Sequence, residues 1–491
     1  MSCRKNACRL AVFTAILVAT GNVAAADFPA TPPAPGPAPQ LSVPTPTTQT
    51  LANGLQVVSV RRGGLPLVTA QLIVRRGGEM DPPALAGLAD LTANLLTKGA
   101  AGRSAPQIAA AAEALGGSLD AAAGWDESAV GITVTTPKLP QALGLLAEVV
   151  RQPDFSAEEL KRAQAQALDD LRLTLSRPTA LASLAASRGV FGAGAYGHSR
   201  GGTPASIARI GRADVQRLHA ALYRPDNAIL VLAGDITPAQ AQQLAQASFG
   251  DWRKPTTPLP ARPAGRAASQ LPRMLLIDQR GAGQAGVVAA HAAPPRGDGD
   301  YYVGTLANAV LGGSYSARLN QEIRIKRGLS YGATSRLEPL RDAGLWLASA
   351  QTKNPSAAPV VELMLGEFKR LGDSRIGVDE LAARKATLIG GYGRSLETTT
   401  GLAGQVGELA VYGVPLDEIG KYVARVQAVT PKQIEKYAKR HLAAGAGTVV
   451  VVGDAVLFAA DIRKAHPQAA LLQSTALDLD SPTLQPAGSR K

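Results

Sequence analysis

The segment GGSYSARLNQEIRIKRGLSY, residues 312–331, decides how the rest of the sequence is interpreted. A glycine pair opens it, and Ser316 can cap a helix that follows. Tyr315, Leu319 and Ile323 recur every four residues, so they are expected to form one buried stripe of that helix. The pattern therefore predicts a helix that packs against a core.

The helix is expected to end at Gly328, and residues 329–335 alternate in polarity like a strand. Arg324 and Tyr331 then lie near the bend between helix and strand. Their seven-residue spacing resembles the second-half signature of the insulinase (pitrilysin) zinc peptidases, the family with an inverted zinc motif. The resemblance implies that Arg324 and Tyr331 bind substrate and stabilise the tetrahedral intermediate of peptide hydrolysis.

The zinc motif of that family, H-x-x-E-H on a helix of the first half, is altered in this sequence. Residues 87–99 read GLADLTANLLTKG and keep the frame of the motif. Asp90 and Asn94 stand at the two histidine positions, and Ala93 stands at the position of the glutamate base. Asn is a poor zinc ligand and Ala cannot accept a proton, so we expect no zinc in this chain.

The resemblance places the third metal ligand, a glutamate, on a later helix, where this sequence has Asp170. A carboxylate there could still reach a metal. We favour the interpretation that Asp170, beside Asp169, is an exposed acid on an amphipathic helix.

The five histidines do not replace the missing ligands. No two have the i, i+3 or i, i+4 spacing that lets one helix face hold a metal, and no G-x-S-x-G motif accompanies them. Composition alone leaves a Ser-His-Asp triad open. We interpret all five as ordinary surface or half-buried residues: His198, His219, His291, His441 and His466.

One glycine pattern, GAGQAG, places Gly281, Gly283 and Gly286 in the spacing G-x-G-x-x-G. A dinucleotide site needs a helix after this pattern, whereas residues 287–290 are a short β-rich run. We interpret the pattern as a flexible turn between strands.

Two parts of the sequence look like diverged copies of one domain. Tyr196 leads through a helical pattern to an apolar strand closed by Gly234, and Tyr412 leads in the same way to a strand closed by Gly453. The pattern predicts a repeated α+β (α/β layered) domain. The family resemblance sharpens this to two homologous domains, each a mostly antiparallel sheet covered by helices, joined by a Pro-rich linker.

Composition and the resemblance together divide the chain into six parts. These are a signal peptide (1–26), a Pro/Thr-rich spacer (27–50), an N-terminal insulinase-like domain with the altered zinc motif (51–253), a linker (254–270), a C-terminal insulinase-like domain with the Arg/Tyr pair (271–466) and a tail (467–491).

The first residues have the pattern of a secretory signal: basic residues before position 10, an apolar run at 10–20 and three alanines at 24–26. A mitochondrial presequence is the alternative, but the compact apolar run favours export, most simply to a bacterial periplasm. Both cysteines, Cys3 and Cys8, lie in this segment, so the mature chain would have no disulfide or catalytic thiolate. No later segment is apolar for long enough to span a bilayer.

The formal net charge is +13, which suits acidic partners or anionic membrane surfaces. Only 4% of residues are aromatic, and the basic residues are scattered along the chain rather than interleaved with stacking side chains. These features argue against a nucleic-acid partner.

Some members of the family divide labour between a zinc-bearing chain and a chain that keeps only the Arg/Tyr pair. The resemblance implies that this chain is the second kind: a non-catalytic subunit of an exported heterodimeric zinc peptidase, inactive alone, whose partner supplies the zinc. The alternative is a non-enzymatic binding or structural module of the same fold. A third hypothesis is an autonomous peptidase that holds an unusual metal with Asp90 and Asp170.

Overall fold

The structure, a computed structural model, describes residues 43–443 and 445–486. The predicted signal peptide and residues 27–42 of the predicted spacer lie outside these residues. None of the helices within the described ranges is long and apolar enough to cross a membrane. The described residues form two sheet-bearing halves, the first half at 43–253 and the second half at 271–486.

The first half contains one six-stranded sheet, with strands in the order β1-β2-β8-β3-β7-β6, and a small hairpin of β4 and β5. All neighbours in the six-stranded sheet are antiparallel except β2 and β8. The strands are β1 (Thr47–Thr50), β2 (Gln56–Arg61), β3 (Leu67–Val74), β4 (Gly99–Ala100), β5 (Arg103–Ser104), β6 (Asp120–Ala123), β7 (Ser128–Thr135) and β8 (Ala228–Gly234).

Eight helices belong to the first half of the described chain. They are α1 (Leu88–Leu95), α2 (Ala105–Ala114), α3 (Leu139–Arg151), α4 (Ala157–Ser176), α5 (Pro178–Phe191), α6 (Pro204–Arg209), α7 (Arg212–Leu222) and α8 (Pro238–Phe249). Their starts follow local chemistry: the Ser156 hydroxyl accepts the Glu159 N–H at the start of α4, and Thr237 with Gln240 caps α8.

The second half repeats this arrangement with the sheet order β11-β12-β10-β13-β9-β14. Its strands are β9 (Met274–Asp278), β10 (Ala285–Ala293), β11 (Ser330–Pro339), β12 (Gly344–Thr352), β13 (Thr448–Gly453) and β14 (Ala470–Gln473). Its helices are α9 (Tyr301–Leu311), α10 (Arg318–Asn320), α11 (Ala357–Asp373), α12 (Val378–Ser395), α13 (Thr399–Tyr412), α14 (Glu418–Ala428), α15 (Pro431–His441) and α16 (Ala459–Ala465).

The two sheets have the same topology over five strands. Reading from the β6 edge, β6-β7-β3-β8-β2 corresponds to β11-β12-β10-β13-β9. The sixth strand differs, because β1 precedes β2 and pairs with it antiparallel, whereas β14 follows β13 and pairs with β9 in parallel. The predicted α+β fold of two sheet-bearing domains, each mostly antiparallel, is confirmed.

Each half covers one face of its sheet with its own helices and receives one helix from the other half on the opposite face. Helix α5 packs across β10 and β13 of the second sheet, and α13 packs across β3 and β8 of the first sheet. Apolar side chains of α5, including Leu181 and Phe191, form one core cluster with Leu275 and Val288 of the second sheet. This exchange of helices ties the halves together through buried apolar surface.

Gly286, the last glycine of the G-x-G-x-x-G pattern, lies in β10 where α5 crosses the strand. A Cβ atom at this position would lie 2.4 Å from the Thr179 nitrogen, so only glycine allows the helix to approach. Residues 279–284 form the turn between β9 and β10, as the sequence predicted. Gly286 therefore serves close packing, whereas Gly281, with φ +72°, serves the turn.

Two ends of the predicted division need correction. The last residues of the predicted spacer form β1, because they find an unpaired edge of β2 to bond to. The predicted tail contains β14 and then returns to the first half, where the Asp480 carboxylate accepts hydrogen bonds from Thr203 (2.6 Å) and Arg209 (2.8 Å). Within the described residues, neither 47–50 nor 467–486 is a free extension.

Candidate functional site

Helix α1, which carries the altered zinc motif, is held at its start by a buried carboxylate. Asp81 is 5% exposed and accepts the backbone N–H groups of Gly87 and Ala89, both at 2.9 Å. Gly87 has φ +92°, and a Cβ there would lie 3.1 Å from the backbone of Gly202. The glycine and the aspartate together fix where the helix begins and which side chains face inward.

The three motif positions on α1 have different surroundings. Ala93 is fully buried and packs with Ala89 and with Ala123 of the edge strand β6. The Asp90 carboxylate lies 3.6 Å from the Arg200 guanidinium, and the Asn94 side chain is exposed. The position of the base is thus filled by apolar packing, and the first ligand position faces a cation.

Asp170 lies on α4 and is exposed, as the sequence predicted for an amphipathic helix. Its carboxylate accepts a hydrogen bond from the Gln166 amide at 3.1 Å. Its neighbour Asp169 instead pairs with Arg172 at 2.6 Å. The two adjacent acids therefore have different partners.

Asp90, Asn94 and Asp170 line one cavity of about 490 Å³ between the two halves, which we call the inter-half cavity. The sequence placed these three positions around one site, and the fold brings them together. The cavity is also lined by residues that sequence reasoning missed: Trp125, Tyr196, His198 and Arg200 from the first half and Arg336, Glu338, Leu340 and Leu345 from the second half. In the sequence, Tyr196 marked only the repeat and His198 was interpreted as an ordinary histidine, while the others belong to no motif, so no local signal placed them at this site.

The side chains around the cavity do not suit zinc. Zinc in proteins takes imidazole, thiolate or carboxylate ligands in tetrahedral geometry. Of the three ligand positions, Asn94 offers an amide, the Asp90 carboxylate already faces Arg200, and the Asp170 carboxylate accepts the Gln166 amide. Within residues 43–443 and 445–486, no three His, Cys, Asp or Glu side chains are grouped so that they could hold a metal.

The histidines differ from expectation at two positions. His198 and His291 are buried, at 6% and 4% exposure, rather than at or near the surface. The His198 ring nitrogens lie 3.1 Å from the carbonyl oxygens of Gly78 and Ser199, and burial lowers the pKa of the ring. Burial likewise lowers the pKa of His291 to about 4, so this ring is neutral at physiological pH.

Arg324 lies between two tyrosine rings at the surface of the second half. The Arg324 guanidinium carbon is 4.8 Å from the centre of the Tyr331 ring and 5.1 Å from that of Tyr315. Tyr331 is 89% exposed and Tyr315 is 65% exposed. The predicted neighbours Arg324 and Tyr331 are therefore in contact, and Tyr315 joins them instead of the buried stripe of Leu319 and Ile323.

The backbone around Arg324 departs from the predicted helix. Helix α10 has only three residues and continues as one π-helical turn, Gln321–Ile325, in which the Lys326 N–H donates to the Gln321 carbonyl at 2.9 Å. This wider turn carries Arg324 toward β11. A register shift in β11 between Ser330 and Ala333 adds a bulge beside Tyr331.

Buried polar contacts hold this turn in place. Arg318 forms two hydrogen bonds with Glu380 of α12, at 3.0 and 2.8 Å. Asn320 donates to the Tyr315 carbonyl at 2.6 Å and accepts the Ala333 N–H at 3.3 Å. The prediction that Ser316 caps the helix is wrong, since its hydroxyl accepts a hydrogen bond from Arg384.

The Arg324–Tyr331 pair does not belong to the inter-half cavity. Tyr331 and Glu338 lie on the same strand, seven residues apart, which corresponds to about 20 Å along β11. Glu338 lines the cavity, whereas Tyr315, Arg324 and Tyr331 do not. β11 is an edge strand, so the pair stands at a free border of the second sheet.

A buried carboxylate joins the halves behind the cavity. Asp126 is 0% exposed and accepts the Tyr196 hydroxyl at 2.7 Å and the Arg341 N–H at 3.0 Å. Arg341 lies in the turn between β11 and β12, so this contact links the second half to the first. Sequence reasoning used Tyr196 only as a marker of the repeat.

Two further acids lie near Asp126. Burial raises the pKa of Glu79 to about 7, against the opposing effect of a hydrogen bond from the Gly77 N–H. Burial and the Asp126 charge raise the pKa of Glu127 to about 7. Both carboxyls therefore titrate near neutrality.

Comparison with known proteins gives two family matches along the chain. Residues 56–188 match the family described as Insulinase (Peptidase family M16), and residues 209–388 match the one described as Peptidase M16 inactive domain. Together the matches cover more than half of the chain. The break between them, residues 189–208, runs from the last turn of α5 into α6.

Similar proteins include several bacterial ones named uncharacterized zinc protease. One from Streptomyces coelicolor is 24% identical over 394 residues, which is 79% of this chain and 86% of that protein. One from Mycobacterium tuberculosis is 26% identical over 411 residues, or 83% of this chain and 93% of that protein.

Two solved structures have the same architecture. A peptidase M16 inactive domain from Pseudomonas fluorescens has a TM-score of 0.77 and 28% identity, covering 83% of this chain and 98% of that one. A protease from Helicobacter pylori has a TM-score of 0.78 at 19% identity, covering 84% of this chain and all of that one, and shows the shared fold alone.

Proposed function

Because this chain belongs to the insulinase family, peptidase family M16, as a member of the inactive-domain type, we propose that it is a non-catalytic subunit of a zinc peptidase. In this proposal a second family member carries the zinc and the catalytic base. This chain supplies one wall of the peptide chamber, and Arg324 and Tyr331 bind substrate at the partner's metal.

One observation carries the proposal. Arg324 and Tyr331 are in contact with each other at a free sheet edge, outside the cavity around Asp90 and Asn94. The exposed phenol and the half-buried guanidinium beside it can reach a carbonyl oxygen of a peptide held by another chain. Such donors stabilise a developing oxyanion and need no metal of their own.

The altered helix supports the same division of labour. A glutamate base would have to replace the fully buried Ala93, and the first ligand position is occupied by an acid that faces Arg200. The chain therefore has the substrate-binding elements of the family without a set of groups that could activate water.

We further propose that the protein is exported, most simply to a bacterial periplasm. The support is the sequence pattern of residues 1–26. The boundary between signal and mature chain can be read by N-terminal sequencing of the protein from its native cells, where a start near Asp27 is expected.

The test begins with copurification of the tagged chain from its native cells, followed by metal analysis of each separated chain. We expect zinc in a second family member, no peptide hydrolysis by this chain alone, and hydrolysis by the complex. Stoichiometric zinc and peptide cleavage in the isolated chain would overturn the proposal and favour the hypothesis of an autonomous peptidase using Asp90 and Asp170.

A substitution then separates the proposal from its alternative, a binding or structural module without enzymatic activity. Arg324→Ala should leave assembly intact and lower kcat/KM of the complex by about 10- to 150-fold, because a charge-assisted hydrogen bond is worth about 1.5–3 kcal/mol. The matched control is Lys326→Ala, which removes an exposed charge two residues away that pairs with Glu322 and should change kcat/KM by less than about two-fold. Equal activity of the two variants would favour the alternative.

A further inference from the structure

The inter-half cavity has the size and the mixed lining of a ligand site. Its volume of about 490 Å³ lies in the range of small-molecule and side-chain pockets. Among the apolar lining residues, Trp125 and Leu184 of the first half keep exposed surface, whereas Phe191, Tyr196, Leu340 and Leu345 are at most 4% exposed and lie behind them. Trp125 and Leu184 can cover an aliphatic chain and shield it from water.

Two ion pairs line the opening, and both are loose. Asp90 and Arg200 are 3.6 Å apart with side chains 49% and 44% exposed, and Glu338 and Arg336 are 3.9 Å apart with similar exposure. Exposed pairs at such distances contribute little, so they can rearrange around a bound charge at small cost.

Asp170 is the acid that these pairs leave uncompensated. Its carboxylate accepts one hydrogen bond from the neutral Gln166 amide, and among the described residues no lysine or arginine nitrogen lies within 4.0 Å of it. The cavity thus holds three carboxylates, from Asp90, Asp170 and Glu338, against the two guanidinium groups. A cation on an aliphatic stem complements this lining best, with its charge at Asp170 and its stem along Trp125 and Leu184.

We propose that the inter-half cavity is a second binding site on this chain, which takes the lysine or arginine side chain of a peptide. The site is separate from the Arg324–Tyr331 pair and performs no chemistry. The lining suits an alkyl ammonium or guanidinium group, and the choice of a peptide as its source rests on the proposed function. A free diamine is the other source, and the experiment separates the two.

The test uses the purified chain without a partner, so its outcome does not depend on turnover by a complex. The probes are acetyl-Ala-Ala-Lys-Ala-Ala-amide, the same peptide with Glu in place of Lys, and the free diamine cadaverine. Binding is measured by calorimetry and by the fluorescence of Trp125, the one cavity-lining residue among the three tryptophans of the chain. We expect the Lys peptide to bind at least ten-fold more tightly than the Glu peptide, and more tightly than cadaverine.

Variants at two adjacent acids provide the matched comparison. Asp170→Asn should weaken binding of the Lys peptide at least ten-fold, and Asp170→Lys, which places a cation in the cavity, should abolish it. Asp169→Asn removes the neighbouring charge, which pairs with Arg172 outside the cavity, and should leave binding unchanged. Both positions are exposed, so all three variants should keep the far-ultraviolet circular dichroism of the parent chain.

Four results would overturn the inference. The first is no binding of either the Lys peptide or cadaverine at concentrations up to about 1 mM. The second is equal binding of the Lys and Glu peptides, and the third is an equal loss of Lys-peptide binding in Asp170→Asn and Asp169→Asn. The fourth is binding of cadaverine when the Lys peptide does not bind. The first three remove the site, and the fourth removes the peptide as its source. None of them bears on Arg324, so failure here and failure of the proposed function are distinguishable.

Discussion

Replacing Tyr196 by Phe measures how much the hydrogen bond from its hydroxyl to the buried Asp126 contributes to stability. The substitution removes the hydroxyl that donates to Asp126 at 2.7 Å and keeps the ring, which packs edge-on against Trp125 and Phe191. Asp126, with no exposed surface, then retains the Arg341 backbone N–H at 3.0 Å and the Arg341 guanidinium, which lies 3.7 Å from its Oδ1.

The expected cost follows from the charge of the acceptor. A hydrogen bond to a charged group contributes about 1.5–3 kcal/mol, and a buried carboxylate that loses a donor bears most of that cost because water does not replace it. We expect Tyr196→Phe to lower the free energy of unfolding by about 2 kcal/mol.

Tyr437→Phe is the matched control. Tyr437 is 2% exposed, and its hydroxyl has no hydrogen-bond partner within the described part of the chain. Removing that hydroxyl should cost nothing, since a buried unpaired polar group is itself unfavourable. Both variants lose one oxygen atom, so the difference between them isolates the hydrogen bond to Asp126.

The assay is urea unfolding at pH 7, followed by tryptophan fluorescence and by circular dichroism. If the two transitions coincide, one free energy of unfolding describes both halves. If the dependence of this free energy on urea concentration is the same in the variants and the parent, only stability has changed. The reasoning is refuted if Tyr196→Phe costs less than about 0.5 kcal/mol, or if Tyr437→Phe costs as much.

Two further predictions concern pH and the aromatic contact. The pKa of Glu79 is raised from 4.5 to about 7 in the folded protein. Between these pH values the folded state holds a proton that the unfolded state has released, so the free energy of unfolding falls as the pH rises to about 7. As the pH rises from 5 to 8 in urea titrations, Glu79→Gln should therefore become more stable than the parent, by up to about 3 kcal/mol. The control Glu158→Gln, at an exposed position, should show no such gain. Parallel pH profiles for the parent and Glu79→Gln would contradict this. Tyr315→Ala removes one of the two rings around Arg324 and should lower kcat/KM of the complex by about two- to five-fold. Tyr315→Phe keeps the ring and should keep the parent kcat/KM. Equal kcat/KM values for the two variants would contradict a role for this contact.

Local patterns predicted most of the elements. β3 begins and ends where the β-rich run at residues 67–74 does, and α1 covers the predicted helix within one residue. Strands and helices follow from the spacing of apolar residues, which is a local property. What covers the free face of each sheet is not local, so the exchange of α5 and α13 and the return of the tail had no signal in the sequence.

The candidate sites divide in the same way. The frame of the altered motif placed Asp90, Asn94 and Asp170 around one site, and the structure brings them to one cavity, while their roles stay predictions. The four-residue stripe assumed an α-helix, and the π-turn shifts Arg324 and leaves Tyr315 outside the core. Asp126 has no signal in the sequence because its partners, Tyr196 and Arg341, are 70 and 215 positions away.

The exchange of α5 and α13 has a consequence for how such a protein can be divided or rebuilt. A fragment ending near residue 253 would carry α5 without the sheet it covers, and would lack the helix for its own sheet. Each fragment would thus expose two apolar faces and would aggregate rather than refold. Gene fusions, circular permutations or domain shuffling in this architecture must therefore keep the two halves together as one unit.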